Sequence, residues 1–182
     1  MRIAVIGPQN TGKTTFIKDF VQNFPEYITP EITYRDVVAK QNLAINQGAN
    51  EESQMVITNF LFDQITNNKE QNIIFDRCVI DNYVYASYLH ELGRFGPEII
   101  QRIKNMALEH ILNLDVLILI PTALGVVLVD DKIRDTDNTF IDAVNGLFID
   151  ILLEISQKSE VKIITVTGNR EKRIELVKKA LK

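Results

Sequence analysis

Apolar residues fall along this chain in two rhythms, short unbroken runs and longer stretches with helical spacing, and the two alternate. The runs are Arg2-Ile3-Ala4-Val5-Ile6, Tyr27-Ile28-Thr29 (closed by Pro30), Asn72-Ile73-Ile74-Phe75-Asp76, Val116-Leu117-Ile118-Leu119-Ile120 and Lys162-Ile163-Ile164-Thr165-Val166. Runs this short and this apolar predict strands buried on both faces. After the first run, Phe16, Ile17, Phe20 and Val21 recur at the spacing of a helix face. Further helices are predicted over about 34–45 and 51–67, separated by Asn46-Gln47-Gly48-Ala49-Asn50. In the second of these, Met55, Thr58, Asn59, Phe62 and Ile65 share a face, widened by Val56, Phe60 and Leu61. Helices are also predicted over about 79–92, from the Gly93–Pro97 break to Leu112, over 139–156 and over 171–181. Strands alternating with helices predict an α/β fold with a parallel sheet of about five strands and helices on both faces. With no repeat, low-complexity tract or linker, residues 1–182 read as a single domain.

Composition narrows the picture. At 46% apolar and 24% charged residues, the chain has the make-up of an ordinary globule. A net charge of −4 and a pI near 5.3 supply no general attraction to nucleic acid or anionic membrane. A nucleic-acid partner is therefore disfavoured, although a local basic groove stays open. Cys78 is the sole cysteine, which excludes an internal disulfide and fits a reducing compartment. The region 112–129 is broken by Asn113, Asp115, Pro121 and Gly125, against a membrane span. Met1-Arg2 leads straight into the first strand with no targeting segment, and a cytoplasmic location is expected. His90 and His110 stand without partners that would make a metal cluster.

The chemistry sits at the ends of the predicted strands, where ligands gather in sheets of this kind. Gly7-Pro8-Gln9-Asn10-Thr11-Gly12-Lys13-Thr14 fills the template G-x-x-x-x-G-K-[ST], between a strand and a helix. In that setting the glycines let backbone wrap a polyphosphate, and the loop and helix N-terminus direct N–H groups at the anion. Gly7, Asn10, Thr11, Gly12, Lys13, Thr14 and Thr15 are thus the candidate triphosphate-binding residues. Lys13 is placed to reach the outer phosphates and the Thr14 hydroxyl to hold Mg²⁺. Together these predict a three-layer P-loop NTPase fold that uses ATP and Mg²⁺.

Asp76 ends the third run, the position of a carboxylate that holds Mg²⁺ or orients an acceptor hydroxyl, and also a position that suits a helix N-cap. Arg77 follows, either turned to the cleft or lying on the surface. The segment Phe75-Asp76-Arg77-Cys78-Val79-Ile80-Asp81-Asn82-Tyr83-Val84-Tyr85 resembles the "strand-DR-x-x-x-D-x-x-x-Y" segment of P-loop kinases akin to the nicotinamide riboside kinase domain of NAD-synthesis regulators. That family is a branch of the nucleoside and nucleoside-monophosphate kinase superfamily. The resemblance implies that Asp76 and Arg77 are catalytic, and that Asp81 and Tyr85, one helical turn apart, line the acceptor pocket. Tyr85 is equally suited to a core.

The resemblance extends to a lid at about 122–138, where Asp131, Arg134 and Asp137 match "D-x-x-R-x-x-D" and Arg134 would stabilise charge on the migrating phosphoryl group. A solvated acidic loop is the plainer alternative. Glu31 and Arg35 stand where these kinases bind the acceptor with E-x-x-R, here one residue longer. Gln54 matches, by a single letter, glutamines that read a base edge. Gly168 and Arg170 or Arg173 fall where such folds place adenine. Arg35, Arg77 and Arg94 would be available to a phosphate on the acceptor.

These residues predict a kinase that transfers the γ-phosphoryl group of ATP to a nucleoside, nucleotide or related small acceptor. A kinase acting on a polynucleotide and a regulatory ATPase or nucleotide switch are the other readings. The switch lacks its base reader, since Asn169-Arg170-Glu171-Lys172 is not N-K-x-D, and Asp76-Arg77-Cys78-Val79 is not D-x-x-G. A motor-type ATPase would place its metal strand at Val126–Asp131, but the residue after Asp130 is Asp131 rather than Glu.

Overall fold

In a computed structural model of the chain, which describes residues 1–122 and 138–182, four strands form one all-parallel sheet. They are β1 (Arg2–Ile6), β2 (Ile73–Asp76), β3 (Val116–Leu119) and β4 (Lys162–Thr165), in the spatial order β2-β1-β3-β4. The expected fifth strand is reduced to one residue. Ile28 donates to the Asn72 carbonyl at 3.1 Å and accepts from Ile74 N–H at 2.9 Å, a single bridge outside β2. Pro30, which has no N–H to donate, follows too soon for a ladder to form.

Helices cover both faces of the sheet. α1 (Lys13–Asn23) and α7 (Arg170–Ala180) lie on one side, where Ile3 and Val5 of β1 meet Phe16, Phe20, Ile174 and Val177. Ala4 and Ile6 face the other side, toward α3 (Glu51–Thr66), α4 (Val79–Glu91), α5 (Pro97–His110) and α6 (Asn138–Lys158). The alternation along β1 is the two-residue period of a strand, and burial on both faces explains why every residue of the run is apolar. Phe20 is fully buried and meets Tyr27 edge-on at 5.1 Å, which anchors the helix that follows the glycine loop.

α2 (Tyr34–Gln41) ends before the expected Ile45 because Asn42 takes the left-handed conformation (φ 50°) that caps helices. In α3 the inward stripe is Gln54, Ile57, Thr58, Leu61 and Ile65, whereas Asn59 is exposed and Met55 and Phe62 are half-buried. Thr58 on that inner face bonds across to α4 through its hydroxyl, and Gln54 does so through its backbone carbonyl. Side chains cap α3 and α2: Asn50 accepts from Ser53 N–H, and Thr33 pairs with Asp36.

His110 is fully buried at the end of α5, 5.9 Å from the Phe62 ring, and neither ring nitrogen has a hydrogen-bond partner. Burial, with the Arg2 charge adding to it, pushes its pKa down to about 3. No helix among the described residues is long and apolar enough to cross a membrane.

Candidate active site

The site is built where β1, β2 and β3 end. Leaving β1, the chain turns at Gly7 with φ 136°, and a Cβ there would stand 2.3 Å from the Ile120 carbonyl oxygen. Only glycine permits that approach. The loop closes on itself through Thr11 Oγ1, which donates to the Pro8 carbonyl at 2.9 Å, and it enters α1 through Gly12 at φ 83°. No side chain caps α1 and no acidic residue stands in its first turn. The orphan N–H groups of that helix end are therefore available to an anion. Lys13 folds over the loop, its Nζ donating to the Gly7 carbonyl at 2.7 Å and also to that of Pro8. Burial and the nearby Arg77 push the Lys13 pKa well below its usual value, against the pull of Asp81 and Asp76.

The parallel register of β1 and β2 pairs Val5 with Asp76 and so brings that carboxylate beside the loop. Thr14 Oγ1 donates to Asp76 Oδ2 at 3.1 Å, while Asp76 Oδ1 is buried with no partner. Asp76 does not cap the next helix, since the N-cap of α4 is Cys78. A hydroxyl and a carboxylate with one unclaimed buried oxygen are hard donors of the kind that suit Mg²⁺. Among the described residues no group of three or more His, Cys, Asp or Glu side chains is arranged to hold a metal.

Arg77 takes φ 81°, a left-handed conformation uncommon outside glycine, and its N–H donates to the Val5 carbonyl at 3.0 Å. This bend sends its side chain away from Asp76 and inward, where only 8% of the residue is exposed. The guanidinium lies 4.9 Å from the Tyr34 ring centroid and 5.7 Å from that of Tyr85, and its Nη1 pairs with Asp81 Oδ1 at 3.0 Å. Burial alone would lower its pKa, but the surrounding Tyr34, Tyr85, Asp81 and Asp76 lift it well above the ordinary value. The side chain is a buried, fully charged cation.

Asp81 and Tyr85, both on α4, turn their polar ends back to the glycine loop. Gly7 N–H donates to Asp81 Oδ1 at 3.3 Å and Gln9 N–H donates to the Tyr85 hydroxyl at 3.0 Å. Beside them Asn82 Nδ2 donates to the Gln54 carbonyl at 2.9 Å and to Thr58 Oγ1. Gln54 is 2% exposed, and its own amide nitrogen has no hydrogen-bond partner.

These groups border two cavities. The larger, about 450 Å³, lies between the loop from Gln9 to Thr15 and the α2 residues Arg35, Val38 and Ala39. The smaller, about 40 Å³, is lined by Gln54, Asp81, Asn82 and Tyr85 among others. Tyr34, Ile45, Asn46 and Arg77 border both and so form the wall between them. On the far side of the loop, Gly168 and Arg173 line a groove of about 250 Å³ with Thr11, Gly12 and Thr15. Arg173 spans it, donating to the Gly168 carbonyl at 3.0 Å and to that of Thr11 at 2.8 Å. Arg170 borders the same groove, but its guanidinium holds Asp19 of α1 in two hydrogen bonds of 2.9 and 2.6 Å.

The residues singled out from the sequence thus assemble unevenly. The loop, Asp76, Arg77, Asp81, Tyr85 and Gln54 converge, and Arg35 reaches the rim of the larger cavity. Glu31 is exposed and lines neither cavity, and Arg94 braces the 47–49 backbone by donating to the Gln47 and Ala49 carbonyls. Arg134, Asp131 and Asp137 lie outside the described residues. Sequence reading passed over Tyr34 and Asn82. The signal for Asn82 is a polar pair, Asp81-Asn82, inside an otherwise apolar helical stretch.

The model of the family described as the AAA domain matches residues 2–173. The chain is similar to the solved structure of deoxyadenosine kinase from M. mycoides with products dCMP and a flexible dCDP bound, at TM-score 0.69 and 16% identity over 100% of this chain and 98% of that one. It is similar to the NadR protein in complex with NR, at TM-score 0.71 and 16% identity, covering 98% of this chain and 50% of that one. A third likeness is to thymidylate kinase from Ehrlichia chaffeensis, at TM-score 0.67 and 16% identity over 100% of this chain and 98% of that one. No curated protein matches. At these identities the likeness establishes a shared fold.

Proposed function

The chain belongs to the AAA-domain family, and on that premise we propose that it is an ATP-dependent kinase acting on a nucleoside, a nucleotide or a related small acceptor. The observation that carries this reading is the shared wall. A cleft bordered by the glycine loop and a second pocket with buried polar groups meet at Tyr34, Ile45, Asn46 and Arg77. Two bound molecules would face each other there, as phosphoryl transfer requires. The solved structures that share the fold carry the names deoxyadenosine kinase, NadR and thymidylate kinase, which supports an acceptor of that chemical kind.

In this reading Gly12, Lys13, Thr14 and Thr15 hold the triphosphate, with adenine in the groove between Gly168 and Arg173. Thr14 and Asp76 would hold Mg²⁺, which would neutralise charge on the β- and γ-phosphates. The acceptor oxygen, a hydroxyl or a phosphate oxygen, attacks the γ-phosphorus, a hydroxyl's proton passes to solvent water, and the bond from that phosphorus to the β-phosphate oxygen breaks to release ADP. Asp76 orients the hydroxyl, and Lys13, Arg77 and Arg134 stabilise charge on the migrating group. Gln54 reads the edge of the acceptor with its unclaimed amide, while Asp81, Tyr85 and Arg35 shape the pocket and its rim.

An ATP-consumption screen tests this. Nucleosides, nucleoside monophosphates, nicotinamide riboside and oligonucleotides are each supplied with ATP and magnesium, and ADP is measured against a control with no acceptor. ADP release that depends on one class of small molecule is the expected result. Release at the same rate without acceptor, or with oligonucleotides only, would overturn the proposal.

A further inference from the structure

Two backbone N–H groups of the glycine loop, those of Gly7 and Gln9, point away from the cleft and into α4. Pro8 between them has no N–H. The first three residues of the loop therefore offer no backbone N–H to a phosphate, and the backbone cradle is left to the later positions and the uncapped start of α1. The acceptors on α4 are side chains of the second pocket. Asp81 takes the Gly7 N–H while also accepting from Cys78 N–H at 3.2 Å and pairing with Arg77. Tyr85 takes the Gln9 N–H through its hydroxyl, and its ring lines the smaller cavity.

We infer that Tyr85 is a positioning residue for the phosphate loop: its ring is part of the wall of the acceptor pocket, and its hydroxyl, bonded to Gln9 N–H, sets the loop's backbone from there. This deepens the reading of the site as a kinase and rests on it. The consequence is linkage. A molecule that shifts Tyr85 from the pocket side shifts the Gln9 peptide on the triphosphate side, so each pocket biases the other's affinity, reciprocally.

The test is Tyr85→Phe, which keeps the ring 6.0 Å from Phe140 and near Arg77 and removes only the hydroxyl. Ser87→Ala, two residues on in the same helix, equally buried and with a hydroxyl that has no hydrogen-bond partner, is the control. Calorimetric titration compares the non-hydrolysable triphosphate AMP-PNP with AMP, and amide exchange is followed at Gln9. In Tyr85→Phe, AMP-PNP affinity is expected to fall on the order of 3- to 10-fold, the worth of one hydrogen bond, while AMP affinity holds and Gln9 exchanges faster. A merely structural role would weaken both nucleotides alike. Equal losses for AMP and AMP-PNP, or unchanged AMP-PNP affinity with unchanged Gln9 exchange, would overturn the inference. Wild-type protein that binds no AMP-PNP would instead overturn the kinase reading on which it rests.

Discussion

Adding one methyl group to each of two glycines should move stability in opposite directions. At Gly7 the new Cβ would lie 2.3 Å from the Ile120 carbonyl oxygen. That carbonyl cannot swing aside freely, because Ile120 is fully buried and its N–H is bonded to the Ile6 carbonyl at 2.9 Å. The backbone conformation, φ 136°, adds strain for any L side chain, about 1–3 kcal/mol. Forcing the contact open costs about another 1–3 kcal/mol. The sum for Gly7→Ala is about 4 kcal/mol, or roughly 8–16 °C in melting temperature for a chain of this size. Gly146 lies inside α6, exposed, with nothing within 4 Å of an added Cβ. Gly146→Ala should therefore stabilise by about 0.5–1 kcal/mol through helix propensity. Thermal unfolding of the purified variants by circular dichroism, with AMP-PNP titration of each, checks both signs. A Gly7→Ala protein that melts within a few degrees of wild type and binds AMP-PNP normally would refute the close approach of the loop to β3.

Lys13→Ala and Asp76→Ala are expected to lower turnover at least 10²–10³-fold, approximately the worth of one preorganised charge at a phosphoryl-transfer centre, with the far-ultraviolet circular dichroism unchanged; retained turnover in either would contradict its role. Arg134→Ala should reduce kcat more than it weakens AMP-PNP binding, read from steady-state kinetics and titration side by side. His110 gives a pH dependence whose sign follows from its depressed value. The folded protein keeps the ring neutral down to about pH 3 while the unfolded chain protonates it near 6.5, so its contribution is whole above 6.5 and is lost as pH falls toward 3. Between pH 7 and pH 5 that loss is roughly 2 kcal/mol, and urea titrations of His110→Leu across this range should show a correspondingly flatter curve.

The glycine loop and the strand-ending Asp76 were legible because each is a local feature, a template or a run fixed by near neighbours. Four of the five strand runs were legible for the same reason, since two-faced burial leaves no polar residue inside them. The Tyr27–Thr29 run misled because a β-prone stretch becomes a strand only if the chain stays extended beside a partner, and Pro30 removes the next donor. The inner face of α3 was misjudged for a different reason. Thr58 faces inward and accepts from Asn82 through its hydroxyl, and Gln54 accepts from the same amide through its backbone carbonyl, bonds across 24 and 28 positions that no periodicity reveals. Arg77 shows the same limit. Its place after the strand-ending Asp76 was legible, but the left-handed bend that seats it between two aromatic rings at the border of both cavities is not signalled by the sequence.

That placement has a practical corollary. The chain has no tryptophan and five tyrosines, and two of those phenols flank the Arg77 cation. With no indole to mask them, their near-ultraviolet absorbance will respond to any change in the charge between them. The protein thus carries an intrinsic optical reporter at the junction of its two cavities, and unlabelled candidate acceptors can be ranked by the difference spectra they induce.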